Sequence, residues 1–379
     1  MLLFDSNPAI GRKLLVTGNG RCNLTNSLVA PERYSCADRS FLSLALEKFG
    51  RESLLSLLRA MGVLTFATHD GWYYPVSNSA VTVQKAFEAA LQNVGVQLHL
   101  KTTISDIHLL TPGFLLETEA PPRTFGVDRL IVAAGGSAYP ALGSRGECFP
   151  ILERLGHTVV PPRPALAPIR ADVRPYHALQ GVRLDVRLAL YEGEDKLGET
   201  AGNLLFTEFG FSGPAAMDLS HLVQAGPGKT PQRLVINLIP THLDWLRQFI
   251  AARRDDPLPL SIALGSVLPP KMPPVFIAQA GLPDSVCLNQ VSDHQLEVLL
   301  RRLTAVTVEV RGTRGFQFSQ LSAGGVPVSE VDPNTMESRR VRGLYLVGEV
   351  LDVVGPCGGF NLQFAFTSGA VAGMAVGDP

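Results

Sequence analysis

The chain has 379 residues, enough for two or three domains, and 46% of them are hydrophobic while 18% are charged. This composition is typical of a globular protein with ample core material. The formal net charge of -1 argues against a protein that binds nucleic acid through its phosphates. No apolar run approaches the roughly 20 residues that span a bilayer, and Met1–Phe4 lacks the pattern of a signal peptide.

The cysteines are scattered along the chain and odd in number: Cys22, Cys36, Cys148, Cys287 and Cys357. None of them forms a Cys-x-x-Cys pair, so we predict neither a metal site nor a dithiol redox centre. Reduced thiols are typical of a cytoplasmic protein, which is the localisation that we expect.

Leu2–Asp5 reads as a buried strand that ends in an acid. Residues 11–26 follow, dense in glycine, basic and amide side chains, and this turn chemistry predicts a loop. Lys13 and Arg21 supply charge, and Asn23 and Thr25 supply polar edges, which suits a dinucleotide. On composition alone, a solvated loop is the alternative.

Apolar periodicity then predicts an α/β pattern as far as residue 160. We expect helices near 41–49, 54–61, 83–94 and 147–155, with Ser79 as a possible cap, and strands at 64–66, 72–74, 96–100, 104–109, 114–118 and 130–136. The unbroken run Leu130–Ala134 favours a parallel strand covered on both faces, ending at Gly135 and Gly136.

The pattern changes at Pro161–Pro164, which predicts a linker. Short alternating segments at 166–169, 182–190, 196–200, 204–207, 234–238 and 306–310 predict a small β-barrel or sandwich, and Ser212 is a possible helix cap. Prolines interrupt the helical stretch between them, so we expect several short helices there. The predicted domains are 1–160 with 321–379, 161–238 with 304–320, and 239–303.

Residues 343–363 are the most informative stretch. A short apolar strand, Leu344–Val347, stops at Gly348 and an acid, and Gly358–Gly359 then opens a long helix. Free N–H groups and the helix dipole favour an electron-rich ligand at such a helix start. Small residues spaced by four, Ala365, Gly369 and Gly373, predict a face that lies very close to a sheet. A plain helix-packing turn is the alternative.

The run GLYLVGEVLDVVGPCGGFNLQFAFTSGAVAG, residues 343–373, resembles the closing flavin-binding segment of the aminoacetone oxidase-like, bile-acid flavin reductase-like family of FAD-dependent oxidoreductases. The resemblance implies an α/β fold: a Rossmann-like FAD-binding domain with an inserted β-barrel-like domain and a small helical cap. It implies FAD as cofactor, and oxidation of a small amine or NAD(P)H-linked reduction of an activated C=C bond. The expected partner is a small-molecule substrate, with no nucleic acid and no membrane.

In dinucleotide-binding folds, the acid at the end of a strand that binds the ribose follows a Gly-x-Gly-x-x-Gly turn by about 20 residues. Asp5 is such an acid, but the family's first strand and glycine turn have no counterpart before it. We therefore expect the sequence to be N-terminally truncated by about 30 residues, the size of one such unit. A genuinely divergent start is the alternative.

The residues and the resemblance together predict a set of cofactor-binding positions: Asp5, Arg12, Lys13, Thr17, Gly18, Gly20, Arg21, Cys22, Asn23, Ile104, Ala134, Gly135, Gly136, Gly348, Glu349, Asp352, Gly358, Gly359, Phe360, Asn361 and Leu362. In the family the acid after the strand, here Glu349, holds the ribitol chain.

No catalytic residue stands out, and the candidates are Tyr139, Glu208 and Glu349. Glu208 departs from the family pattern, since it lies where a histidine is expected, and an exposed loop acid is the alternative reading. Two other functions stay open: a non-catalytic remnant that has lost FAD, and a flavin-dependent modifier of nucleic acid.

Overall fold

The computed structural model describes residues 1–224 and 229–377. It divides into two compact units. The first, which we call the nucleotide unit, comprises Met1–Ala165 and Phe316–Pro379, and the second, the barrel unit, comprises Leu166–Gly315.

The first part of the nucleotide unit alternates short strands and helices. Its elements are β1 Leu2–Asp5, α1 Arg12–Val16, β2 Thr25–Asn26, α2 Arg39–Lys48, α3 Arg51–Ala60, β3 Thr65–Ala67, β4 Trp72–Pro75, α4 Ala80–Asn93, β5 Gln97–Leu100, β6 Ile104–Leu109, β7 Phe114–Thr118, β8 Thr124–Val127, β9 Leu130–Val132, α5 Cys148–Arg154 and β10 Val160–Ala165. β1 pairs in parallel with β5. An antiparallel sheet has the strand order β2-β4-β3, and a second antiparallel sheet has the order β6-β7-β8.

The barrel unit contains β11 Ile169–Ala171, β12 Arg183–Glu192, β13 Asp195–Thr207, β14 Gly210–Ser212, α6 Pro214–Met217, β15 Gln232–Asn237, α7 Leu243–Ala252, α8 Leu260–Gly265, α9 Met272–Gln279, α10 Asp293–Thr304 and β16 Val306–Thr313. Six strands close in the order β11-β14-β13-β12-β15-β16, so the predicted barrel is confirmed. The segments predicted as two strands, 196–200 and 204–207, form the single strand β13. The helices α7–α10, predicted as a separate domain, share one hydrophobic core with the barrel.

The chain returns to the nucleotide unit with β17 Leu321–Gly325, β18 Leu344–Leu346 and α11 Phe360–Gly377. β18 pairs in parallel with β9, and β17 pairs antiparallel with β10. The α/β class and the Rossmann-like strand–helix arrangement are therefore confirmed. None of the helices in the described part of the chain has the length and apolar content to cross a membrane.

Two stretches predicted to be irregular contain regular structure, at residues 12–16 and 161–164, and the predictions are wrong there, although the boundary between the two units falls directly after Ala165. Residues 12–16 form α1, because Leu14 and Leu15 pack against a cluster that includes Cys22 and Leu54. Residues 161–164 lie in β10, which tolerates its prolines because it pairs along one edge alone in the described sheet. The strand β8 was not predicted at all.

Two predicted helix caps also fail. Ser79 stands at the N-cap of α4 without a side-chain hydrogen bond, and the N-cap of α6 is Gly213 instead of Ser212.

The predicted glycine face of α11 does not approach a sheet. A Cβ built on Gly369 or Gly373 would meet no atom within 4 Å in the described structure, and Met374 is half exposed. The buried stripe runs instead through Phe360, Gln363, Phe364, Thr367, Ser368, Val371 and Ala372. The spacing by four does place the small residues on one face of the helix. The face that packs against the protein is a different one, however, because it includes the polar residues at 363, 367 and 368.

A buried polar network ties the end of α5 to the segment before β18. His157 Nδ1 lies 2.7 Å from Glu330, and His157 Nε2 lies 2.9 Å from the hydroxyl of Ser338. That hydroxyl accepts the N–H groups of Arg340 and Val341, so its proton goes to His157 Nε2 and the imidazole donates from Nδ1 to Glu330.

Burial disfavours the charge on Glu330, but hydrogen bonds from His157, Thr158 and Arg340 outweigh burial and hold the pKa of Glu330 below its ordinary value near 4.5. A carboxyl group with a lowered pKa in the folded state stabilises the fold at higher pH. That contribution is complete above the ordinary pKa and is lost as the pH falls through the folded-state pKa.

We expect Glu330→Gln to lower the free energy of unfolding of the nucleotide unit by about 1–3 kcal/mol at pH 7, because an amide NH₂ would face the donors of Thr158 and Arg340. The decline of stability below about pH 4.5 should also become shallower. Urea denaturation followed by the fluorescence of Trp72, in a Trp245→Phe background that removes the second tryptophan, measures both effects. Glu117→Gln, at an exposed pair with His108, is the control and should change little. Equal effects of the two substitutions would contradict this role for Glu330.

Candidate functional site

The ends of β9 and β18 lie side by side in the nucleotide unit. The parallel register pairs Leu344 with Leu130 and Leu346 with Val132, so both strands end at one edge. Ala133 and Ala134 are exposed beyond β9, and Gly135 adopts a left-handed backbone with φ of 76°. The cofactor-binding positions predicted from sequence fall mainly in three segments, 11–26, 130–136 and 343–363. The last two of these meet here.

Glu349, just after β18, joins these two segments to the third. Its carboxylate pairs with Lys13 of α1, and its Oε1 accepts the N–H of Ser322 at 2.8 Å. A Cβ on Gly136 would lie 2.8 Å from Glu349 Oε1 and 2.6 Å from Ser322 Oγ, so a glycine is required there. The Glu349 side chain is 12% exposed and both its oxygens accept hydrogen bonds, which favours a positioning role over that of a free base.

The segment 17–26 crosses the same region in an irregular path. Gly18, Asn19, Gly20 and Cys22 all have positive φ. Cys22 is buried, and burial raises the pKa of its thiol to about 12, so it remains protonated and packs in the core. Arg21 lies 4.2 Å above the ring of Tyr74 and donates to its hydroxyl, and it extends the site toward the sheet β2-β4-β3.

The start of α11 packs tightly against this segment. A Cβ on Gly359 would lie 2.5 Å from the carbonyl oxygen of Thr25, and one on Gly358 would lie 3.0 Å from the indole of Trp72. Both glycines have positive φ, 112° at Gly358 and 96° at Gly359. Residues 358 and 359 thus carry no side chains of their own, which lets Trp72 and Thr25 pack on their backbone. The first N–H groups of α11 have no acceptor within the helix.

A buried chain of hydrogen bonds fixes the depth of α11. Thr25 donates to Gln363 Oε1 at 2.5 Å, Gln363 donates to Thr367 at 3.0 Å, and Thr367 donates to the carbonyl oxygen of Phe49 at 2.7 Å. All three side chains are fully buried. The position of the helix start relative to residues 23–26 is therefore set by the fold.

Asn23 carries an unsatisfied acceptor at this point. The residue is 6% exposed, and its Oδ1 has no hydrogen-bond partner within the described residues. It lies 2.8 Å from the place that a Cβ on Gly359 would take. An unpaired buried acceptor is destabilising by about 1–3 kcal/mol, so a bound group that donates a hydrogen bond to it would stabilise this site.

Asp5 and Arg12 meet at the far side of the 11–26 segment. Asn7 donates its N–H and its side-chain NH₂ to Asp5 Oδ1, and Arg12 donates to Asn7 Oδ1. Asn7 also donates to the carbonyl oxygen of Leu142, and so connects this group to the loop after β9.

The remaining predicted positions serve the protein itself in this structure. Asp352 accepts the N–H of Gly324, and the N–H of Gly348 donates to Ser368. The side chain of Asn361 accepts the N–H of Gly355 and donates to the carbonyl oxygen of the same residue. Thr17 donates to the carbonyl oxygen of Leu14. Phe360, Leu362 and Ile104 pack in the hydrophobic clusters of the nucleotide unit.

The catalytic candidates are placed differently from one another. Tyr139 follows Gly136 by three residues, is half-buried, and has a left-handed backbone with φ of 55°, held by its N–H bond to Phe316. Such strained positions cluster at functional sites. Glu208 is exposed in the barrel unit at the turn between β13 and β14. The roles of all three stay predictions.

Three residues of this region were not predicted: Ser322, Trp72 and Asn7. Ser322 binds both Glu349 and the N–H of Ser137, Trp72 packs on Gly358, and Asn7 connects Asp5 to Arg12. Ser322 and Trp72 act through contacts distant in sequence, and Asn7 adds a distant contact with Leu142 to its local ones. Their local patterns carry no signal beyond the small residues around Ser322.

Comparison with known proteins identifies relatives along the whole chain. A family model described as the HI0933-like protein Rossmann domain matches residues 1–375. The chain is 32% identical to a 3-dehydro-bile acid delta(4,6)-reductase of Clostridium scindens, over 100% of this chain and 93% of that protein. It is 30% identical to a ribosomal RNA dihydrouridine synthase of Escherichia coli, over 97% of this chain and 90% of that protein.

Among solved structures, a flavocytochrome c3 fumarate reductase in its open conformation aligns with 98% of this chain and 72% of its own. The TM-score is 0.42 at 10% identity, a likeness too low to carry an argument.

Gly359→Ala, directly before α11, and Gly369→Ala, within α11, make the same change with opposite expected results. Gly359→Ala should lower the free energy of unfolding by about 2–4 kcal/mol, because its Cβ meets the Thr25 carbonyl in a left-handed backbone. Gly369→Ala should raise it by about 0.5–1 kcal/mol, because the site is open and helical. Denaturation followed by Trp72 fluorescence compares them, and shifts of the same sign would contradict the described packing.

Proposed function

This chain belongs to the HI0933-like Rossmann-domain family and is an FAD-dependent oxidoreductase, and we propose that it reduces an activated C=C bond of a small organic substrate with NAD(P)H as electron donor. The observation that carries the proposal is the glycine pair at the start of α11 beside the unsatisfied acceptor of Asn23.

The residues present fit FAD. Glycine lets residues 23–26 pack directly against the helix start, since a Cβ on Gly359 would collide with the carbonyl oxygen of Thr25. The helix start supplies N–H donors and a favourable dipole, and Asn23 supplies an acceptor that is otherwise unpaired. A flavin ring edge carries both acceptors and a donor, so it satisfies both groups.

We assign the parts of the cofactor to the converging segments. Asp5 would hold the adenosine ribose, in the role that an acid has at this point of dinucleotide-binding folds. Arg12, Lys13 and the N–H groups of residues 17–21 would face the pyrophosphate. Ala134–Gly136 and Gly348–Glu349 would flank the ribitol chain, and Gly358–Leu362 would face the isoalloxazine ring.

When bound, FAD supplies the hydride transfer, and the protein's part is to bind, orient and exclude water. Lys13 and Ser322 hold Glu349 in place, and Glu349 in turn lies against Gly136. The N-terminus of α11 favours the negative charge that accompanies flavin reduction. Tyr139 is our candidate proton donor to the substrate, since its phenol follows the loop that ends β9.

The choice of reduction over amine oxidation is supported by the relatives' names. One relative is named a bile-acid reductase and another a dihydrouridine synthase, and both names describe products richer in hydrogen. The nearly equal identities, 32% and 30%, keep uridine in RNA as a second candidate substrate. The net charge of -1 favours the small molecule.

FAD binding should quench the fluorescence of Trp72, which packs on Gly358, and leave that of Trp245, which is 67% exposed in the barrel unit. Titration of the Trp245→Phe variant with FAD should therefore show strong quenching, and titration of the Trp72→Phe variant little. A protein that neither purifies with FAD nor takes it up would favour the non-catalytic remnant. Quenching confined to Trp245 would place the cofactor elsewhere.

Anaerobic turnover tests the reaction. The FAD-loaded protein should oxidise NADPH or NADH when an α,β-unsaturated ketone is added, and should not reduce its flavin with a primary amine. Tyr139→Phe should lower kcat by about 10²-fold with little change in KM, as expected for loss of a general acid. Tyr191→Phe, in the barrel strand β12, is the matched control and should leave the rate unchanged.

Flavin reduction by the amine would overturn the proposed direction of the reaction. Activity confined to RNA, with steep salt dependence of RNA binding, would favour the second substrate.

A further inference from the structure

Four amide side chains surround the glycines that start α11, and three of them are engaged within the protein. Asn26 donates to the Gly358 carbonyl and accepts from the N–H of Leu28. Asn361 clamps Gly355, and Gln363 bridges Thr25 and Thr367. Among the described residues, Asn23 Oδ1 is the amide oxygen here that is buried without a partner.

The surroundings of Asn23 define what its partner must be. The oxygen lies 2.8 Å from the place of a Cβ on Gly359, and so lies against the Gly359 backbone directly before the first turn of α11. The N–H groups of that turn are donors without acceptors in the helix. A ligand that pairs with both groups therefore presents an N–H donor next to an acceptor oxygen.

We propose that Asn23 Oδ1 accepts the N3–H of the flavin ring, while the N–H groups at the start of α11 serve the carbonyl oxygen beside it. This inference rests on the proposed function and assigns one atom of the protein to one atom of the cofactor. N3–H is the single N–H donor of oxidised isoalloxazine, and it lies between two carbonyl groups. The pairing satisfies the one unpartnered acceptor of this group of amides.

The pairing makes Asn23 a specificity-determining residue for the pyrimidine edge of the ring. A substituent on N3 would remove the donor and leave Asn23 unpaired in a buried position, which weakens binding. An alkylated N3 would also meet the carbonyl of Asn23 directly. The protein should therefore discriminate between FAD and 3-methyl-FAD through this residue.

The experiment crosses two ligands with three forms of the protein. Dissociation constants for FAD and 3-methyl-FAD are measured by quenching of Trp72 in the Trp245→Phe background, for Asn23, Asn23→Leu and Asn23→Asp. The parent should bind FAD at least about tenfold more tightly than 3-methyl-FAD. Asn23→Leu should lose about tenfold in FAD affinity, and its preference between the two ligands should fall to about one.

Asn23→Asp retains the acceptor and should retain the preference for FAD over 3-methyl-FAD. Asn93→Leu, an exposed asparagine at the end of α4, is the matched control and should behave as the parent. The fluorescence spectrum of Trp72 without ligand verifies that each variant is folded.

The outcomes separate this inference from the proposed function. Equal affinity of the parent for the two flavins would overturn the inference without any variant, and would leave the FAD site in place. A full preference for FAD retained in a folded Asn23→Leu variant would overturn it as well. Failure of the parent to bind either flavin would overturn both.

Discussion

One partly buried carboxylate, that of Glu349, holds together parts of the chain that are more than 300 residues apart. A charge removed from water requires a partner and further hydrogen bonds, and Glu349 finds them in Lys13 and the N–H of Ser322. The same carboxylate lies so close to Gly136 that a side chain has no room there. The ends of α1, β9, β17 and β18 are therefore located relative to one group.

Most of the polar residues near the start of α11 hold the protein itself in place, and the sequence alone does not show which of them do so. Thr25, Gln363 and Thr367 are amphipathic or polar side chains in a fully buried stripe, and they fix the helix instead of binding a ligand. Asn26 and Asn361 likewise hold backbone groups of the glycine turn. A site prepared in this way needs little reorganisation when a ligand enters.

Much of the fold followed from local patterns. The apolar runs at 130–134 and 344–347 predicted two strands, which the structure has at 130–132 and 344–346. The alternation at 182–190 and 306–310 predicted the barrel. Errors arose where tertiary contacts overrode local chemistry. Leu14 and Leu15 convert a glycine-rich segment into α1 because a core cluster receives them. The prolines at 161–164 sit in a strand because that strand pairs on one side.

The candidate site was predictable to a similar extent. Glycines and acids after strands marked its positions, because backbone approach and strand ends have sequence signatures. Ser322 and Asn7 had none, since Ser322 binds Ser137 and Glu349, 185 and 27 residues away, and Asn7 binds Leu142, 135 residues away. Which asparagine keeps a free oxygen is decided by three-dimensional bonding alone.

The network of Ser338, His157 and Glu330 has the atomic spacing of the hydrolytic triad of serine esterases, at 2.9 and 2.7 Å. Its serine is nevertheless chemically silent. Two main-chain amides occupy the lone pairs that would attack an acyl carbon, so the oxygen cannot act as a nucleophile while they remain. Evolution of an esterase from this fold would first have to unwind the turn at 338–341.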